Sequence, residues 1–125
     1  MAYREAIATY RKTENDYMKG IETPHGRIKI LFETIIDNID NVVEKHPKTD
    51  FVSFGKCMNA LKILSGSLDM EKGKEISRNL LELYDYCSNT LREYLEHKDI
   101  QKLKEVKQII SGLLEAWKEI DNKVS

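Results

Sequence analysis

At 125 residues the chain is long enough for one domain with a single hydrophobic core and no disulfide or metal staple. Its 20 basic and 21 acidic residues leave a net charge of -1, and the two signs are interspersed, which argues against nucleic acid or an anionic membrane as the primary partner. The N-terminus, MAYREAIATYRK, lacks the apolar run of a signal peptide, and no stretch approaches the roughly 20 apolar residues that span a bilayer, so a cytoplasmic protein is expected.

In chain order, residues 1–22 read as a mobile arm. Tyr3, Ile7 and Tyr10 are spaced for a short amphipathic helix, and the polar stretch TENDYMKG separates them from the bundle. The first long helix opens at Thr23-Pro24, an N-cap followed by proline at the first helical position. Ile28, Leu31, Phe32, Ile35, Ile36, Ile39, Val42 and Val43 make one broad apolar face, and His46-Pro47 ends it. A second helix is predicted from about Asp50, with Phe51, Phe54, Met58, Leu61, Leu64 and Leu68 on one stripe, Cys57 beside them, and a break at Glu71-Lys72-Gly73. The third is predicted from about Lys74 to Glu96, with Ile76, Leu80, Leu83, Tyr84, Cys87, Leu91 and Leu95 inward. Asp99 caps the fourth, whose Leu103, Val106, Ile110, Leu113, Trp117 and Ile120 alternate steps of three and four. Short connections make successive helices antiparallel. The expected architecture is all-α: an antiparallel four-helix bundle over 23–121, with the arm at 1–22 and a tail at 122–125.

Catalytic chemistry finds little footing. A di-iron bundle needs inward glutamates and a Glu-x-x-His motif on each of two helices, and no such motif occurs; Glu93, Glu96 and His97 cluster at a helix end. A phosphotransfer bundle needs an exposed helical histidine followed closely by lysine and glycine, which His25, His46 and His97 do not provide. Cys57 and Cys87 lie in apolar patterns without CxxC spacing and read as reduced core thiols. The glycines at 55, 66, 73 and 112 open no GxxxxGK phosphate loop. No catalytic residue, metal or cofactor is expected.

Apolar residues off the core stripes point elsewhere. At about 100° per residue, Ile30 falls opposite the first helix's core face, Ile63 lies well off the second stripe, and Leu81 and Tyr86 flank the third helix's inward arc. Single exposed apolar residues are common, and a fifth element covering them is the plainer account. The functional account is that they line outer grooves that take an amphipathic helix or extended segment of a partner. Tyr3, Ile7, Tyr10, Tyr17 and Ile21 of the arm are the available cover when no partner is present.

These residues resemble a known family, the flagellar export chaperones called FliS. The most recognisable stretch is Ser67-Leu68-Asp69-Met70-Glu71-Lys72-Gly73-Lys74-Glu75-Ile76, followed by Asn79-Leu80 and Leu83-Tyr84-Asp85-Tyr86. Ala8-Thr9-Tyr10-Arg11-Lys12 is similar to the family's N-terminal tyrosine motif, and Thr23-Pro24-His25 with Ile30-Leu31-Phe32 to the Ser-Pro opening of its first long helix. Glu105-Val106, Ile109-Ile110 and Ala116-Trp117-Lys118-Glu119-Ile120 look like its closing helix. Two positions depart: Gly26 stands where a better helix former is usual, and Cys87 where a larger apolar residue is usual. The resemblance implies a non-enzymatic cytoplasmic chaperone that binds the disordered C-terminal segment of flagellin, prevents premature polymerisation and assists type III export, with export gate components as further partners. Tyr10, Ile21, Ile30, Ile63, Leu81 and Tyr86 are the candidate client contacts. A self-associating structural or regulatory bundle is the alternative.

Overall fold

A computed structural model describes the backbone of residues 24–124 and the side chains of 26–119. Four helices follow one another: α1 (Pro24–Lys45), α2 (Phe51–Gly66), α3 (Met70–His97) and α4 (Ile100–Val124). Proline at the start of α1 suits its fixed φ and missing N–H. The His46 amide donates to the carbonyl of Val42 at 3.1 Å, and a cis His46–Pro47 peptide then turns the chain towards α2.

Side chains set the next three starts. Asp50 caps α2: one carboxylate oxygen accepts from the Ser53 amide at 3.1 Å and the other from the Ser53 hydroxyl at 2.8 Å. Asp69 caps α3 by accepting from the amides of Glu71 and Lys72 at 3.1 and 3.0 Å. Asp99 accepts from the Gln101 amide at 3.0 Å at the entry to α4. Each aspartate satisfies donors that the first turn of a helix leaves without intrahelical partners.

The order of cross-helix contacts fixes the topology. Phe32 meets Trp117 edge-on with ring centroids 6.2 Å apart, and Asp40 meets Lys107 at 2.6 Å, so α4 descends as α1 ascends. Tyr86 reaches Glu105 and Glu93 reaches Lys102, which makes α3 and α4 antiparallel as well. Each helix packs on its sequence neighbours, and α4 closes the ring against α1. The protein is therefore the all-α antiparallel four-helix bundle expected from the sequence. Its core runs through Phe32, Ile35, Leu61, Leu64, Tyr84, Leu91, Leu103 and Ile110.

Three local readings change. Phe51, expected on the second stripe, is 70% exposed. The buried arc of α2 is instead Ser53, Phe54, Cys57, Ala60, Leu61 and Leu64, and Phe51 lies roughly 120° from its centre at 100° per residue. Met58 shares that side and is half-buried. Helix α2 also stops at Gly66, ahead of the expected break, and Leu68 is buried from the connection rather than from the helix. Finally, α3 opens at Met70 with a short capped turn and bends at Lys74, whose φ of 47° and ψ of -119° are non-helical. The expected helix start at Lys74 corresponds to this bend.

Candidate functional site

Several titratable groups of the bundle are engaged in its own packing. Cys57 and Cys87 are free and buried, and desolvation pushes each thiol up to about 12. Neutral thiols are poor nucleophiles. The Cys57 thiol lies 3.6 Å from the Ile35 carbonyl and donates to it. His46 is engaged with the Tyr94 hydroxyl at 2.7 Å, and His97 lies beside Glu96 at the exposed end of α3. Among the described residues no group of three His, Cys, Asp or Glu side chains is placed to hold a metal ion. No helix among them is long and apolar enough to cross a membrane.

Two grooves lie among the described residues. One, of about 480 Å³, is lined by Ile30, Glu33, Thr34, Ile36 and Asp37 of α1 and by Leu114 of α4. Its floor and rim are apolar at Ile30, Ile36 and Leu114, and among the described residues that line it the charges are two carboxylates. Ile30 is 46% exposed there, as expected for a residue opposite the core face. The other groove, of about 590 Å³, lies between α2 and α3, where Met58 and Lys62 face Asp85, Asn89 and Arg92.

The candidate residues spread around the bundle. Ile30 belongs to the α1–α4 groove. Tyr86, 48% exposed, lies over the α3–α4 seam, where its hydroxyl donates to the Glu105 carboxylate. That carboxylate, followed by desolvation, raises the phenol above its ordinary pKa. Ile63 is half-buried on α2, and Leu81 is half-buried on α3 and packs against the core. Tyr10 and Ile21 lie outside the described residues. Of the four described positions Ile30 alone lines either groove, so a partner touching all four must pass over more than one face.

Sequence reasoning missed the polar α2–α3 groove, because residues 62 and 92 come to line one groove only through the packing of α2 on α3. It also missed the exposed pair Phe51 and Val52, each 70% exposed at the start of α2. Their position directly after the Asp50 cap, before the buried arc begins, was the available signal.

A four-helix bundle of this order, with its grooves outside, matches one family across its length. The profile described as Flagellar protein FliS covers residues 5–124. The chain belongs to the FliS family. The Flagellar secretion chaperone FliS of Salmonella typhimurium is 35% identical over 108 residues, covering 82% of this chain and 80% of that protein. The FliS chaperone of Vibrio cholerae is 26% identical over 121 residues, with 94% and 89% covered, and that of Campylobacter jejuni 32% over 107 residues, with 82% and 84% covered. Membership of the FliS family makes the chain a flagellar secretion chaperone, whose work requires a protein partner.

Proposed function

We propose that the chain is a non-enzymatic cytoplasmic chaperone that binds the disordered C-terminal region of flagellin, prevents its premature polymerisation and assists its delivery to the flagellar type III export gate. The observation that carries this reading is the α1–α4 groove, in which Ile30 is presented to solvent beside Ile36 and Leu114. An isoleucine opposite a helix's core stripe lies outside the bundle's core and suits contact with a partner's apolar side chains. Glu33 and Asp37 on the same rim favour a client segment that alternates apolar and basic residues. A client that orders on binding loses conformational entropy, so a large contact area is needed. Ile63, Leu81 and Tyr86 extend that area over the other faces.

On this reading the N-terminal arm is the cover for the same groove in the free protein, because Tyr10 and Ile21 are apolar and Arg4, Arg11 and Lys12 are opposite in charge to Glu33 and Asp37. Calorimetry with full-length and C-terminally truncated flagellin tests the reading, with light scattering to fix stoichiometry. Binding lost on truncation is expected. Equal binding of the truncated client rejects the C-terminal contact, and a stable dimer that ignores flagellin favours a self-associating bundle instead.

A further inference from the structure

The α2–α3 groove differs in chemistry from the apolar one. Its described walls carry the amides of Asn59 and Asn89, the cations Lys62 and Arg92, one carboxylate at Asp85 and a single apolar side chain, Met58. An amphipathic helix would gain little there, because such a helix satisfies its own backbone and offers side chains that want apolar contact. An extended main chain has unpaired N–H and C=O groups, and side-chain amides serve both. Lys62 and Arg92 come from facing helices and outnumber Asp85, so the groove favours an anion. Arg92 is held for the task by Asn89, whose Oδ1 accepts from its Nη1 at 2.9 Å.

A C-terminal client segment bears one negative charge whatever its sequence, namely its terminal carboxylate. We propose that the α2–α3 groove receives the last residues of the client in extended form, with the terminal carboxylate between Lys62 and Arg92 and the preceding main chain against Asn59 and Asn89. This inference rests on the reading of flagellin's C-terminal region as client. It gives the bundle a polar stop for the end of a chain whose apolar part lies elsewhere. Charge-assisted hydrogen bonds to a planar guanidinium suit a carboxylate in geometry as well as charge.

The test compares two C-terminal flagellin peptides of the same sequence, one a free acid and one amidated, by calorimetry against the full chain and the double variant Lys62→Gln, Arg92→Gln. Both substituted side chains are exposed, and a thermal melt checks that the variant keeps the native fold. For the unmodified chain, amidation is expected to weaken binding about fivefold, the upper range for an exposed ion pair. The double variant should bind the free acid with the same loss and no longer distinguish the two peptides. Equal affinity of the unmodified chain for acid and amide overturns the proposal while leaving the client reading intact. If the double variant weakens both peptides equally and amidation has no effect, a side-chain carboxylate of the client occupies the groove and the terminal one does not. Failure of both peptides to bind the unmodified chain rejects the client reading, and this inference with it.

Discussion

His46 Nδ1 and the Tyr94 hydroxyl lie 2.7 Å apart, tying the exit of α1 to the last turns of α3. Tyr94 is fully buried, and the Lys98 ammonium stands 5.2 Å from its ring centre while also donating to Thr49. The direction of this bond is set by the imidazole tautomer: Nδ1 accepts from the phenol when the ring proton sits on Nε2. Desolvation raises that phenol above its ordinary pKa. Tyr94→Phe is expected to cost about 1 kcal/mol. His46→Ala should cost a similar amount, and in denaturant titrations the double variant should lose less than the sum, because both changes remove the same bond.

The two core thiols set an alkaline limit. Each is an acid whose pKa rises on folding, from an ordinary value of 9.0 to about 12. Above pH 9 the unfolded chain releases protons that the folded chain retains, so stability falls as pH rises. The contribution is fully present below about 9 and is lost on the way to about 12. Melting temperatures are expected to be flat across neutral pH and to drop progressively above 9. In a Cys57→Ala, Cys87→Ala variant, that part of the drop should be reduced, although the variant starts from a lower stability because two buried side chains have been shortened.

Lys74 stores backbone strain. Its φ of 47° and ψ of -119° place a side-chain-bearing residue where glycine is at ease, a misfit of about 1–3 kcal/mol. The joint is held from both sides: the Gly73 amide donates to the Asp69 carbonyl at 2.8 Å, and the Ser77 hydroxyl donates to the same carbonyl at 2.9 Å. The Lys74 side chain is exposed, so its loss removes little packing. Lys74→Gly is expected to stabilise the bundle by about 1 kcal/mol after the added freedom of the unfolded chain is counted. Lys74→Ala keeps the Cβ and should give no such gain. Urea midpoints of the two variants decide the matter.

Much of the bundle was legible because its boundaries have local causes. Pro24 and Pro47 bracket α1, and Asp50 and Asp99 mark starts by capping. The end of α2 was obscured because Leu61, Leu64 and Leu68 keep helical spacing across the true stop after Gly66, and the Asp69 cap lies inside that apparent run. Phe51 misled in the same way: spacing alone does not say which of two adjacent stripes faces the core. Ile30 could be placed because α1 has a single wide apolar face, so its opposite side is unambiguous. The half-burial of Ile63 and Leu81 depends on neighbours from other helices, which no single helix pattern contains.

Exposure now ranks the candidate contacts by how cleanly they separate binding from stability. Ile30→Asn should weaken flagellin binding while changing stability by no more than about 0.5 kcal/mol, as usual for surface substitutions. Tyr86→Ser should behave similarly, since the bond it loses to Glu105 is exposed. Leu81→Ser is expected to cost more than about 1 kcal/mol because the side chain packs on the core. Measuring affinity and melting together distinguishes the cases. An Ile30→Asn variant with native affinity would remove the α1–α4 groove from the binding surface.

Backbone exchange in α1 reports on the arm. If residues 1–22 cover the α1–α4 groove, the free protein is partly closed, and apparent client affinity falls by the fraction of molecules left open. Deleting the arm should then strengthen binding. If Tyr10 also touches the bound client, deletion removes a contact and weakens binding, so affinity carries two opposing contributions. Amide exchange of the bundle has one. Loss of the cover should speed exchange around Ile30 and Asp37, where α1 faces the groove, and leave the buried stretch of α3 around Leu91 unchanged. Added client should slow the same α1 amides again. If deletion of 1–22 alters no α1 amide, and client leaves the arm's own exchange unchanged, the segment takes no part in guarding the groove.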